Sequence, residues 1–229
     1  ALAGQAQRLP LGAVLPYPQH PNQPKTLTKL RSIPNVQLLL TGDELMSGDT
    51  VDSNSSLIAQ ELSPLGLTPT RRVTLGDSRQ ALISELAQLT KTCAAVIVNG
   101  GLGPTNDDLT AEVLAEAAKE PLEEHPHALA HLQQWCAKRK LVLNDANRKQ
   151  AYLPRGVDLI ASPVGSAVGF ALQVEDCLVL CTPGVPGELR AMLPELKERL
   201  ADRFAVTSNR DTMRIQTFGI GESTVQQLV

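Results

Sequence analysis

Two stretches of this sequence concentrate the residue types that could do chemistry. They are Thr41-Gly42-Asp43-Glu44-Leu45-Met46-Ser47-Gly48-Asp49-Thr50-Val51-Asp52-Ser53-Asn54 and Gly100-Gly101-Leu102-Gly103-Pro104-Thr105-Asn106-Asp107-Asp108-Leu109-Thr110. Gly100, Gly101 and Gly103 let the backbone come close to a ligand and turn its N–H groups outward. A helix starting just beyond them adds unpaired N–H groups and partial positive charge, a common anion site. Turn-and-cap chemistry explains the same residues, since Thr105-x-x-Asp108 fits a capping box. Charge separates the two readings. The stretches hold Asp43, Glu44, Asp49, Asp52, Asp107 and Asp108 and contain no Lys or Arg. If these carboxylates meet, a bare phosphate is repelled, and a hard cation such as Mg²⁺ between the groups reconciles them. The pattern points to phosphate-ester or pyrophosphate chemistry with a metal.

Other residues rank below these. Pro163-Val164-Gly165-Ser166-Ala167-Val168-Gly169-Phe170 suits a phosphate cradle, although hairpin turns look similar. Pro183-Gly184-Val185-Pro186-Gly187-Glu188 reads as a stiff turn opening a helix, either a pocket edge or a structural corner. Asn147-Arg148-Lys149-Gln150 offers two cations that could face phosphates, or a solvated helix face. His127 and His131 lie four apart and invite a zinc reading, but Glu123, Glu124 and Pro126 around them favour an exposed helix start. No G-x-S-x-G occurs, and no local pattern supports Cys–His catalysis.

These stretches need strands and helices to position them. Val36–Leu40 and Ala94–Val98 are solid apolar runs, as expected for strands buried on both faces of a parallel sheet. Each ends at one of the acidic stretches, and in open parallel sheets ligands bind beyond the carboxyl ends of strands. Thr70–Leu75 reads as a further strand. Helices are expected from Asn54, as cap, to about Ser63, over Arg79–Leu89, Asp108–Lys119 and His125–Lys140, and near Ala146–Tyr152. Short strands follow near Val157–Ala161, Phe170–Val174 and Leu178–Cys181. Glu188–Phe204 carries a helical apolar stripe that Pro194 should kink or restart. Alternation of this kind implies α/β architecture with right-handed crossovers. Thr212–Phe218 restarts the pattern as a strand, so the domains read as a tail over 1–35, a core over 36–204 and the beginning of a truncated second domain over 205–229.

Composition excludes some classes. The chain has 229 residues, 42% of them hydrophobic, only 3% aromatic, and a net charge of −3. An acidic balance argues against a nucleic-acid partner, and no apolar run is long enough to cross a bilayer. Cys177 and Cys181 are separated by about 13 Å if they lie on a strand, beyond the roughly 7 Å a disulfide tolerates. Cys93 and Cys136 have no evident partner, so all four read as reduced thiols of a cytoplasmic protein. The first 35 residues hold Pro10, Pro16, Pro18, Pro21, Pro24 and Pro34 and no acidic residue, which suits a tail more than a packed segment.

Six stretches occur in an order that resembles the molybdopterin-binding (MoaB/MogA-like) fold and, within it, the competence/damage-inducible protein CinA family. They are TGDELMSGDTVDSN (41–54), GGLGPTNDDLT (100–110), NRKQAYLP (147–154), PVGSAVGF (163–170), TPGVPGE (182–188) and FGIGES (218–223). The resemblance implies a three-layer α/β/α domain with a mostly parallel sheet, followed by the start of a small α+β domain. It implies an ADP-ribose pyrophosphatase that yields AMP and ribose 5-phosphate with a divalent metal (Mg, Mn or Co), with a monovalent cation as a further candidate, in a homodimer. Asp107, Asp108 and Asp43 would be catalytic, and Asp43, Glu44 and Asp108 would hold the metal. Gly100, Gly101, Gly103, Thr105, Asn54, Gly165, Ser166, Pro183, Gly184 and Pro186 would contact a small nucleotide substrate. The alternatives are molybdopterin binding or adenylyl transfer in molybdenum-cofactor biosynthesis, and a non-catalytic nucleotide-binding module. Many family members also carry a C-terminal domain that deamidates nicotinamide mononucleotide; without one in these residues, that activity is expected to be missing.

Overall fold

The computed structural model describes residues 34–206, 218–219 and 221–226. The readings placed on the first 33 residues and on the strand from Thr212 fall outside these residues, the latter except for Phe218. The described chain begins with β1 (Val36–Thr41), buried along its whole length. There follow α1 (Asp43–Ser47), α2 (Asn54–Leu62), β2 (Arg71–Leu75), α3 (Arg79–Thr92), β3 (Ala95–Asn99) and α4 (Thr110–Ala118). Next come β4 (Leu122–Glu124), α5 (Pro126–Lys138), α6 (Asp145–Arg148) with a 3₁₀ turn over Lys149–Ala151, and β5 (Tyr152–Pro154). Then β6 (Asp158–Ile160), β7 (Gly169–Val174), β8 (Cys177–Thr182), α7 (Pro186–Phe204) and α8 (Glu222–Gln226) complete the order.

Six strands form one sheet in the order β2-β1-β3-β8-β7-β6. The pairings of β1 with β2, β1 with β3 and β3 with β8 are parallel, while β8–β7 and β7–β6 are antiparallel. The reversal follows from connection length. Only Glu175 and Asp176 separate β7 from β8, with Glu175 at φ 52, and a two-residue connection can join only antiparallel neighbours. Alternate residues of the central strands serve different cores. Leu39, Val96, Val98, Phe170 and Val179 pack with Leu82, Leu86 and Leu89 of α3 and Val113 and Leu114 of α4. Leu38, Leu40, Ile97 and Leu180 pack with Ile58 and Leu62 of α2 and the Leu189-Met192-Leu193-Leu196-Leu200 stripe of α7. The result is the expected three-layer α/β/α sandwich with a mostly parallel sheet.

Three local expectations change. The first acidic stretch is not loop throughout, since α1 forms within it and ends at Gly48, whose φ of 84 suits glycine. Asn54 does not cap α2; Asp52 does, its Oδ1 accepting from the Ser55 N–H at 2.9 Å. Pro194 neither ends nor restarts its helix, because α7 runs unbroken for 19 residues with Pro194 inside it. Pro194 and Arg190 are both exposed, so water can satisfy the Arg190 carbonyl that proline leaves without a donor. Pro194→Ala is expected to stabilise the domain by about 1–2 kcal/mol, less than the full helix-interior difference because proline also restricts the unfolded chain. A rise in the urea midpoint at unchanged slope checks it.

Candidate functional site

The carboxyl ends of the three central parallel strands are drawn together by a buried polar net. Asn99, the last residue of β3, pairs in register with Leu40 and with Thr182. Its Nδ2 donates to Thr182 Oγ1 at 3.1 Å and to the Pro183 carbonyl at 2.8 Å. Asn54 Nδ2 donates to Asn99 Oδ1 at 2.9 Å and to the Gly184 carbonyl at 2.7 Å. The Gly100 N–H then bonds the Thr182 carbonyl at 2.9 Å, and Thr110 Oγ1 donates to the Gly100 carbonyl at 2.8 Å. Gly100 has φ 115 and lies hard against the Thr41 carbonyl, while Gly101 has φ 67 beside Thr110 Oγ1. A side chain at either position would be strained and would collide with its neighbour.

Above this net lies an open cavity of about 490 Å³. The Gly100–Thr105 backbone, Gln150, Ser166, Ala167 and the Pro183–Pro186 turn line it, together with Glu44, Asp77, Asp107, Asp108 and Glu188. No Lys or Arg is among its lining residues. The two acidic stretches therefore do meet, at the sheet edge. Of the candidate residues, Glu44, Gly100, Gly101, Gly103, Thr105, Asp107, Asp108, Ser166, Pro183, Gly184 and Pro186 are on this wall. Asp43, Asn54 and Gly165 are not, and each makes contacts beside or beneath the wall. Asp43 Oδ1 accepts from the Asp77 N–H at 3.0 Å, and the Asp43 N–H donates to Asp77 Oδ2 at 3.1 Å. The Asn54 amide nitrogen is spent on the buried net, and its Oδ1 is buried without a partner. Gly165 makes room for the Glu188 carboxylate, which a Cβ there would overlap.

Several carboxylates are already occupied. Thr41 Oγ1 donates to Asp77 Oδ1 at 2.6 Å. Asp108 Oδ2 accepts the Thr105 N–H at 2.9 Å and its hydroxyl at 2.5 Å, a closed turn that precedes α4 instead of capping it. Asp49 accepts the Ser47 hydroxyl at 2.7 Å, and Asp52 faces Arg72 at 3.5 Å as well as capping α2. Asp107 is exposed, and the Thr105 hydroxyl, the local backbone N–H and the Lys149 charge hold it below the usual carboxylate range. One hydroxyl proton serves one acceptor at a time; the 2.5 Å contact gives it to Asp108, and Asp107 receives it only when the rotor turns. Glu188 moves the other way: burial pushes its carboxyl up, opposed by the Arg139 charge.

Asp43, Glu44 and Asp108 do not form a ready-made metal cage. Among the described residues no three His, Cys, Asp or Glu side chains converge closely enough to hold an ion. Two histidines are structural: His125 Nδ1 accepts from the Ala128 N–H at 3.4 Å at the start of α5, and His131 Nε2 bonds the Gly165 carbonyl at 3.0 Å. Arg148 and Lys149 do not face the cavity. Arg148 pairs with Glu124 at 2.5 Å, and Lys149 Nζ donates to the carbonyls of Thr105 and Asp108 at 2.7 and 2.8 Å. Sequence reasoning missed Asp77 entirely and gave Glu188 no role of its own; a carboxylate just after β2, at another strand's carboxyl end, was the available signal for the first. All four cysteines are free and buried.

A family model described as "Probable molybdopterin binding domain" matches residues 37–202. The chain belongs to that family. As a molybdopterin-binding-family domain it is similar to a CinA-like protein of Colwellia psychrerythraea (strain 34H), 47% identical over 199 residues, which are 86% of this chain and 46% of that protein. It is also 40% identical over 193 residues to the "NMN amidohydrolase-like protein YfaY" of Escherichia coli (strain K12), covering 84% of this chain and 48% of the relative. The chain thus spans about half the length of the curated relatives it matches. Among solved structures, the crystal structure of CinA, "with unknown function", from Thermoplasma acidophilum superposes with a TM-score of 0.68 at 28% identity, covering 73% of this chain and 98% of that one. No helix among the described residues is long and apolar enough to cross a membrane.

Lys149 is the cation that shapes the glycine-rich wall of this molybdopterin-binding-family domain. Lys149→Met leaves two carbonyls without their charged donor and is expected to cost about 1–3 kcal/mol. Hydrogen exchange at the Thr105 and Asp108 amides should quicken, while exchange in β1 and β3 follows only the change in global stability.

Proposed function

We propose that this domain hydrolyses the pyrophosphate linkage of a nucleotide with the help of a divalent cation, ADP-ribose being the substrate that the CinA resemblance points to. The observation that carries the reading is the lining of the cavity: glycine-rich backbone at the ends of parallel strands, five carboxylates, and no Lys or Arg. Such a wall attracts a phosphate only if positive charge arrives with it. The residues fit a cation of the Mg²⁺ type, which keeps several waters and is held by one or two carboxylates together with substrate phosphates, not by a full protein cage. Glu44 suits this role, because its carboxylate accepts no hydrogen bond among the described residues, and Asp107 suits it because it stays ionised. When bound, the cation would offset charge on the phosphoryl oxygens. Gly100 to Gly103 would bring backbone close to the phosphates, the Pro183–Pro186 turn and Ser166 would bound the nucleotide, and Asp108 would keep the Thr105 turn closed.

The test is AMP release from ADP-ribose by the purified chain with and without Mg²⁺, Mn²⁺ or Co²⁺. Glu44→Gln and Asp107→Asn should each lower metal-dependent release at least about tenfold, in line with the loss of a group that stabilises developing charge, with unchanged melting temperature. Release that ignores both changes, or that needs no metal, counts against the reading. The family description favours a second reading, molybdopterin binding or adenylyl transfer. A chain that quenches the fluorescence of a pterin phosphate and releases no AMP would replace the first reading with that one.

A further inference from the structure

Glu188 stands apart from the other carboxylates of the cavity. It lies in the first turn of α7, half-buried, with its carboxylate pressed against the backbone of Gly165. That backbone cannot retreat, because α5 holds it from behind. His131 Nε2 bonds the Gly165 carbonyl at 3.0 Å, and Trp135 Nε1 and Arg139 each donate to the Val164 carbonyl at 3.3 Å. The Gly165 N–H in turn donates to Ser162 Oγ at 3.1 Å. Both Asp77 oxygens and Asp108 Oδ2 accept from protein donors, whereas no hydrogen bond reaches the Glu188 carboxylate among the described residues. Arg139 is the cation that acts on Glu188, and Arg139 is itself engaged over the Trp135 ring at 4.2 Å.

Glu188 thus faces the cavity with both oxygens free of protein donors among the described residues, set against Gly165, and burial draws its carboxyl toward the protonated form. We propose that Glu188 is the general base of the site, taking the proton of the water that attacks the pyrophosphate. The inference rests on the pyrophosphatase reading and assigns its base. In the step, a water oxygen bonds to one phosphorus as a water proton passes to the Glu188 carboxylate. The bond from that phosphorus to the bridging oxygen breaks, its electron pair leaving on the departing phosphate, and Glu188 later returns the proton to solvent. A carboxylate whose proton affinity approaches the working pH is the better base. Glu44, Asp77, Asp107 and Asp108 share the cavity, and Gly165 is the specific opening that admits this side chain.

The experiment compares wild type, Glu188→Gln, Glu188→Asp and Arg139→Leu on ADP-ribose with Mn²⁺ across the pH range, alongside calorimetric binding of the same ligand. Glu188→Gln should lose roughly 10²- to 10⁴-fold in kcat, bind within about threefold of wild type, and lose the acid limb of the profile. Glu188→Asp should keep part of the rate, and Arg139→Leu should move the acid limb to higher pH, since it removes the charge that favours the carboxylate. Thermal melts add a check independent of turnover. A raised folded-state pKa means that wild type loses stability as pH rises from the unfolded carboxyl value, ~4.3, through the folded one. Glu188→Gln should therefore gain on wild type as pH rises above the unfolded carboxyl value. Wild-type turnover with Glu188→Gln within threefold, or with its acid limb intact, overturns this inference alone. A wild-type chain that cleaves no pyrophosphate substrate with any of the three metals overturns the pyrophosphatase reading and this inference with it.

Discussion

The side-chain amide of Asn99 fixes how closely three strand ends approach one another. It is 3% exposed at the end of β3, where an unpaired amide in the interior costs on the order of 1–3 kcal/mol. Its Nδ2 therefore has to find Thr182 and Pro183, and its Oδ1 has to find Asn54. Those partners sit on β8, in the turn after it, and on α2. Satisfying one buried residue thus ties β3 to β8, to the turn that leads into α7, and to α2. The Pro183–Pro186 wall and the Gly100 peptide take their places from this net, and no surface contact could hold them as firmly.

A second constraint governs the rim. Gly42 stands against the Glu44 carboxylate, Gly76 against Asp43, Gly103 against Asp108 and Gly165 against Glu188. In each case a carboxylate folds onto bare backbone where any Cβ would intrude. Packing acid side chains this way brings negative charge into a small volume without the Lys or Arg partners that would cancel it. The charge is instead distributed by backbone N–H groups and hydroxyls, as at Asp77 and Asp108. Hydrogen bonding to the ionised form favours it, so these two are tied down while Glu44 and Glu188 are left with unused acceptors. The glycine pattern therefore serves the carboxylates at least as much as it serves any phosphate.

Much of the fold was legible because its signals are local. Val36–Leu40 and Ala94–Val98 announce strands buried on both faces, and Leu82, Leu86 and Leu89 mark a helix stripe, since burial of one face repeats at the element's own period. The convergence of the two acidic stretches was legible for the same reason: each follows such a strand. What escaped is long-range. Asp77 meets Asp43 across 34 residues, and Glu188 meets Gly165 across 23, distances at which no periodicity speaks. Asn54 looked like a cap because its type favours caps, but Asp52, two residues earlier, supplied the carboxylate, and the buried amide of Asn99 claimed Asn54. Pro194 shows propensity overridden by packing: the stripe from Leu189 to Leu200 is buried throughout, and that burial outweighs one missing hydrogen bond at the exposed face.

The cations near the site follow the same division of labour. Lys149 is close to the acidic wall, yet its ammonium is spent on the carbonyls of Thr105 and Asp108 and on Glu112 at 3.5 Å. Arg139 is spent on Trp135 and Val164. Both fix backbone that borders the cavity from outside, and neither can be released without loosening the wall it holds. A phosphate entering from solvent therefore meets acceptors first. On the proposed function, the positive charge it needs would travel with it, and recruitment would depend on the concentration of a cation as well as of the ligand. A lysine on the cavity wall would remove that dependence, but it would also pair with Glu44 or Glu188 and consume the two carboxylates that the protein leaves open. The geometry keeps those acceptors available by stationing its own cations behind the wall.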